Sequence, residues 1–229
     1  MSDAPKPPAR ADVDRFLEEV SAREPAPVGR PGRILFALDA TASRQSTWDL
    51  ACGLQGDMFA AAGTAGGLEL EMCFYSGFRE FRHSGWVRDG ENLARRMSRV
   101  RCAGGQTQIE RVLRYALAET RKTRIQALVF VGDAVEEDCD RLCGLAGELG
   151  LLGTPMFVFH EGRNRIARDC FRDMARASGG AFAPFSVDAA ARLRQMLEAV
   201  AVFATGGRSA LEAFARQRPH AAALLQDLR

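Results

Sequence analysis

Ile34 to Leu38 and Pro155 to Phe159 are short unbroken apolar runs, Ile125 to Val131 is one interrupted only by Gln126, and each is followed by a segment whose apolar residues recur every three or four positions. Unbroken runs of this length suit strands covered on both faces, which is the situation of parallel sheets. Leu68 to Tyr75 and Ala181 to Phe185 read as further strands, and Phe78 to Arg82 is placed to pair with the former across the Ser76-Gly77 turn. Helical spacing is visible through Trp48, Cys52, Phe59 and Ala62, then in an arginine-rich segment, then from Thr107 to Leu117. It returns from Cys139 to Leu149, from Ile166 to Ala175 and from Val187 to Phe203. Strands alternating with helices imply parallel pairing through right-handed crossovers. The predicted fold is therefore α/β: a doubly wound, Rossmann-like, mostly parallel sheet with helices on both faces.

At 229 residues the chain has room for one compact domain and appended segments. Residues 1–32 hold six of the nine prolines and read as a linker-like segment. Within it Val13, Phe16, Leu17 and Val20 mark one face of a short helix. The domain is expected over 33–205, and 206–229 as a helical tail. A net charge of +2 is too small to argue for nucleic acid or a membrane surface, and neither is expected as a partner. No run approaches the length of a membrane span, and the N-terminus lacks the apolar core of a secretory signal. The six cysteines form no disulfide-like framework, so a reduced, cytoplasmic protein is expected.

In a doubly wound sheet, ligands sit beyond the carboxyl ends of the strands. Three segments bring polar groups there: Asp39-Ala-Thr41-Ala-Ser43 after the first strand, Gly104-Gly105-Gln106-Thr107 ahead of a helix, and Asp133 after the fourth long strand. Two carboxylates and three hydroxyls make an all-oxygen donor set, which favours Mg²⁺, Mn²⁺ or Ca²⁺ over zinc or copper. Neutral hydroxyls in contact with such an ion leave it electrophilic, so it can accept an acidic group from outside. The helix starts expected at Ser43 and Thr107 would add to the pull on an anion.

These residues resemble the von Willebrand factor type A (VWA) family, whose metal ion-dependent adhesion site (MIDAS) combines a DxSxS loop, a later Thr and a later Asp. Asp39, Thr41 and Ser43 match the first element, with Thr for the middle Ser. The run from Ala103 to Thr107 looks like the family's GGxT helix start, and Asp133 like the loop Asp. The likeness extends over roughly residues 32–203. The family often has Thr-Asp-Gly where this chain has Gly132-Asp133-Ala134, and alanine is less at ease than glycine at positive φ. The resemblance implies a non-enzymatic module that binds a protein partner presenting Asp or Glu, with Thr41, Ser43 and Thr107 touching the ion and Asp39 and Asp133 partly acting through water. No small-molecule substrate is evident.

Other readings compete. Thr107-Gln-Ile-Glu110 is a capping-box pattern, so Thr107 has a purely helical use as well. Seven arginines against three acids over residues 79–101 read first as a solvated face, with steering of an acidic partner as the alternative. Cys139 and Cys143 read as core residues rather than a soft-metal pair. His83, His160 and His220 are isolated. A metal-independent VWA-like scaffold keeps the fold and drops the ion. A haloacid dehalogenase-like phosphatase with Asp39 as nucleophile is disfavoured, since it needs a second acid where Thr41 stands and a lysine other than Lys122, which falls at a helix end.

Overall fold

The computed structural model describes residues 32–44, 68–185, 198–202, 204–206, 210 and 213–214. The helices expected near residues 13–20 and 48–62, most of the one from 187, and the greater part of the tail lie outside the described residues. Six strands form one sheet: β1 (Gly32–Asp39), β2 (Leu68–Ser76), β3 (Glu80–His83), β4 (Ala127–Gly132), β5 (Met156–Glu161) and β6 (Ala181–Phe185). Among the described residues four helices intervene: α1 (Gly90–Met97), α2 (Ile109–Lys122), α3 (Cys139–Leu151) and α4 (Arg165–Ala177). The spatial order is β3-β2-β1-β4-β5-β6. Every pairing is parallel except β2 with β3, which closes as a hairpin with Ser76 opposite Glu80.

The strand periodicity explains why both faces need cover. All eight residues of β1 are buried. Ile34, Phe36 and Leu38 point to one face with Leu70, Met72, Val129, Phe157 and Phe159. Leu35 and Ala37 point to the other with Cys73, Leu128, Phe130 and Val158. The first face is closed by Leu93 and Met97 of α1 and by Ala199, Val200, Ala201 and Ala204. The second is closed by the apolar stripes of α2, α3 and α4, whose buried positions recur at three- and four-residue intervals. Phe36, Phe130, Phe157 and Phe159 are wholly buried, each contributing roughly 1.5–3 kcal/mol relative to an exposed ring. Cys139 and Cys143 pack at the edge of this second layer, as the core reading expected. None of the helices among the described residues is long and apolar enough to cross a membrane.

Strand order reverses between β1 and β4, which makes their carboxyl ends the topological switch point. The chain leaving β1 makes a single 3-10 turn, Ala42–Arg44, and Arg44 turns back beneath it. Its guanidinium is fully buried. Nε donates to Glu161 Oε2 at 2.9 Å, and Nη1 donates to the carbonyl of Asp39 at 2.9 Å and reaches that of Val131 at 3.5 Å. One side chain thus ties together the ends of β1, β4 and β5. Removing one partner of a buried pair strands the other charge. Arg44→Ala should therefore lower unfolding stability by about 3–5 kcal/mol in a urea titration, and Arg44→Met with Glu161→Leu should recover most of that loss.

Candidate metal centre

Asp39 closes β1, and its side chain is wholly buried. Its Oδ1 accepts from the Thr41 backbone N–H at 2.8 Å, the local loop that short carboxylates favour. The turn places the hydroxyls of Thr41 and Ser43 3.0 Å apart, hydrogen-bonded to each other. The alternation of residues 39, 41 and 43 thus puts both hydroxyls on one side, and Ser43 is exposed while Thr41 is buried.

Two neighbours fix this loop. Ala40 N–H donates to the Tyr75 carbonyl at 2.9 Å, and Ala103 N–H donates to the Ala40 carbonyl at 3.1 Å. Thr41 and Ala103 form a parallel bridge, which draws the Ala103–Thr107 loop alongside. Gly105 lies so close to the β2–β3 turn that a Cβ there would stand 1.9 Å from the Gly77 carbonyl oxygen, so the second glycine of the pair admits no side chain. On the other side, Leu38 pairs with Val131, which sets Asp39 beside Gly132 and Asp133 one residue further along. Like-charge repulsion between the two carboxylates is among the causes that raise the Asp39 pKa, after the larger effect of burial.

The fifth residue is placed differently. Thr107 is buried, but its hydroxyl accepts from the Glu136 N–H at 3.1 Å and makes no hydrogen bond to the other four. The Thr107 N–H donates back to Glu136 Oε2 at 2.9 Å. The expected capping box does not form: Gln108 is the N-cap without a side-chain bond. Glu110 is held instead by Arg114 and Arg141, at 2.7 Å each. Glu137 takes the capping role, accepting from the N–H groups of Ile109 and Glu110 at 2.9 and 2.8 Å. The positive end of α2 is therefore already neutralised from within, which corrects the expectation that it pulls on an outside anion. Nor does a described helix open at Ser43, which sits in the 3-10 turn. Ala134 causes no strain, because Arg79 is the sole non-glycine residue at positive φ among the described residues.

Several groups at the centre carry no obvious mark in the sequence. Asp39 Oδ2, Asp133 Oδ1 and the Tyr75 hydroxyl are buried without a well-aligned hydrogen bond, the Tyr75 hydroxyl lying against the Asp39 carboxylate. Burial, then the Asp39 charge, push the Tyr75 pKa well up and keep its proton in place. His160 is buried beside Asp133, and burial lowers the imidazole pKa against the opposing pull of the Asp133 backbone and charge. Two such carboxylate oxygens held at neighbouring strand ends are costly alone, and either a proton on Asp39 or a bound cation would relieve them. The donor set thus fits a hard divalent ion. No cluster of three or more His, Cys, Asp or Glu side chains suited to a metal occurs among the described residues, so hydroxyls would have to complete the coordination. Lys122, at the far end of α2, is paired with Glu119 at 2.6 Å, about 20 Å of helix from its opening turn. It is therefore far from Asp39.

No protein-family model matches this chain, and no curated protein does. Solved structures do. The VWA domain of SpRpn10 superposes with a TM-score of 0.55 at 12% identity, over 68% of this chain and 89% of that one. An aerotolerance-related membrane protein from Bacteroides fragilis gives 0.55 at 13% identity, over 72% and 98%. Proximal thread matrix protein 1 from the mussel byssus, in a form with a zinc-occupied MIDAS motif, gives 0.58 at 13% identity, over 75% of this chain and 46% of that protein. The chain has the von Willebrand factor type A-like fold.

The Asp39 carboxyl, raised above the usual 3.8 mainly by burial, binds its proton more tightly folded than unfolded. Its contribution to stability is full below that value and is lost as pH rises through the folded pKa. Asp39→Asn keeps the acceptor for the Thr41 N–H and removes the buried charge. The metal-free variant should melt higher than the parent at neutral pH, and the difference should shrink toward zero as thermal scans are taken down to about pH 4.

Proposed function

We propose that this chain is a non-catalytic protein-binding module whose binding centre is a divalent cation held by Asp39, Thr41, Ser43, Thr107 and Asp133. The observation that carries the reading is the pair of buried, unpartnered oxygens, Asp39 Oδ2 and Asp133 Oδ1, at the switch point of the sheet. The VWA-like fold supports it, as does the metal at the MIDAS motif of the byssus protein. Mg²⁺ is the ion proposed, with Mn²⁺ and Ca²⁺ as the other hard candidates. When bound, such an ion supplies an electrophile that an Asp or Glu of a protein partner can occupy.

The chain's own residues set the terms of that exchange. Asp39 and Asp133 supply the negative charge, and Tyr75 lines the buried side as a neutral hydroxyl. Thr41 and Ser43, already turned toward each other, present neutral oxygens that leave a cation's field largely unquenched. Arg44 positions the loop from below without using the Asp39 carboxylate. Glu136 and Glu137 add negative charge nearby, which favours a cation and repels an acidic partner until one is present.

One observation favours a metal-independent scaffold instead: the Thr107 hydroxyl is engaged by the Glu136 N–H. A hydroxyl oxygen has a second lone pair, so the two roles are compatible. Calorimetry decides between them. Titrating Mg²⁺ or Mn²⁺ into the protein should give saturable heat that Asp39→Ala abolishes. At about a hundredfold excess over Kd the ion should stabilise the parent by about 2.7 kcal/mol. No heat and no stabilisation in the parent would establish the scaffold.

A further inference from the structure

On the face of the sheet covered by α1, a groove of about 430 Å³ opens between β2, β3 and the end of that helix. Its floor is Met72, Phe74 and Val100, and its walls carry Arg82, Arg96, Arg99 and Arg101. The hairpin register puts Arg82 opposite Phe74 and Glu80 opposite Ser76, so these side chains share one face. His83 lies on the rim, but its ring turns to the other face, where it meets Glu71 and Tyr115.

The arginines of this groove are clustered and, among the described residues, without carboxylate partners, unlike several on the surface around them. Arg88, Arg95, Arg114 and Arg121 each have a carboxylate within ion-pair distance. Arg82, Arg99 and Arg101 are exposed and make no ion pair among the described residues. Arg96 is held by neutral groups, the Asn92 side chain at 2.9 Å and the Ser84 carbonyl at 3.0 Å, which fixes its guanidinium without cancelling its charge. Glu80 is the single acid of the lining, at the hairpin end.

The groove adjoins the candidate metal centre. Arg101 leads through Cys102 to Ala103, whose N–H holds the Ala40 carbonyl, and Ser76 follows Tyr75, whose carbonyl holds the Ala40 N–H. We propose that this groove binds an acidic, extended peptide segment of the partner, running on from the carboxylate received at the metal. This assignment rests on the proposed function for its direction but not for its charge. A cationic wall over an apolar floor suits Asp or Glu side chains on a peptide backbone. A single-stranded nucleic acid would favour open aromatic faces for stacking, and Phe74, the one aromatic in the lining, is half-buried.

The test uses the full chain and two fluorescein-labelled peptides, one of alternating Glu and Gly and one of alternating Gln and Gly, followed by anisotropy in Mg²⁺ and in EDTA. The parent should bind the Glu peptide and not the Gln peptide. Arg82→Ala/Arg99→Ala/Arg101→Ala should weaken binding by about tenfold or more. Arg88→Ala/Arg95→Ala/Arg121→Ala, an equal change of net charge outside the groove, should leave it within about twofold. Asp39→Ala should remove only the increment that Mg²⁺ adds. If EDTA changes nothing yet the groove variant still loses binding, the metal reading fails and the groove stands. Equal losses in the two triple variants would overturn the groove, as would unchanged binding in the first. Tighter binding of an oligothymidylate than of the Glu peptide would overturn its assignment to a peptide.

Discussion

The Arg44 guanidinium holds together the ends of three strands, and the candidate centre is built on that knot. By donating to backbone carbonyls at the ends of β1 and β4 and to Glu161 on β5, it converts the open carboxyl edge of the sheet into a fixed platform. A charge so deeply buried is tolerated only because a carboxylate and carbonyls surround it. The arrangement uses the Asp39 carbonyl and leaves its buried carboxylate out of the ion pair with Glu161.

Much of the fold was legible in the sequence because its signals are local. Unbroken apolar runs became β1, β4 and β5, and the Ser76-Gly77 turn did join β2 to an antiparallel β3. The positions of Asp39, Thr41, Ser43 and Asp133 could be read because strand ends in a doubly wound sheet converge by topology. What could not be read depends on contacts between distant segments. Arg44 looks like any loop arginine until its burial is known. The Thr107–Glu110 pattern satisfies the local rule for a capping box, yet Arg114 and Arg141 draw Glu110 away and Glu137 takes its place. The run Glu136-Glu137-Asp138 was the available clue, since acids just ahead of a helix often cap. Here Asp138 caps its own helix and the other two cap a neighbour.

The arginine-rich stretch shows the same division. Counted along the chain it is a charged face with partial compensation. Sorted by the partners each side chain finds among the described residues, Arg88 and Arg95 are paired on the outer surface, while Arg82, Arg96, Arg99 and Arg101 line one groove without a carboxylate partner and Arg79 stands apart at the hairpin turn. Composition reports how much charge a segment carries. Only the fold decides where that charge remains available.

The bonds that open α2 carry a mechanical meaning. Its first two amides, and that of Thr107 just ahead of its N-cap, are held by carboxylates from the loop that bears Asp133, instead of by the helix's own residues. Loop and helix are therefore one piece. A displacement of that loop would have to carry the opening turn of α2 with it or break those charge-assisted bonds, so the two segments answer to one another although 29 residues separate Thr107 from Glu136.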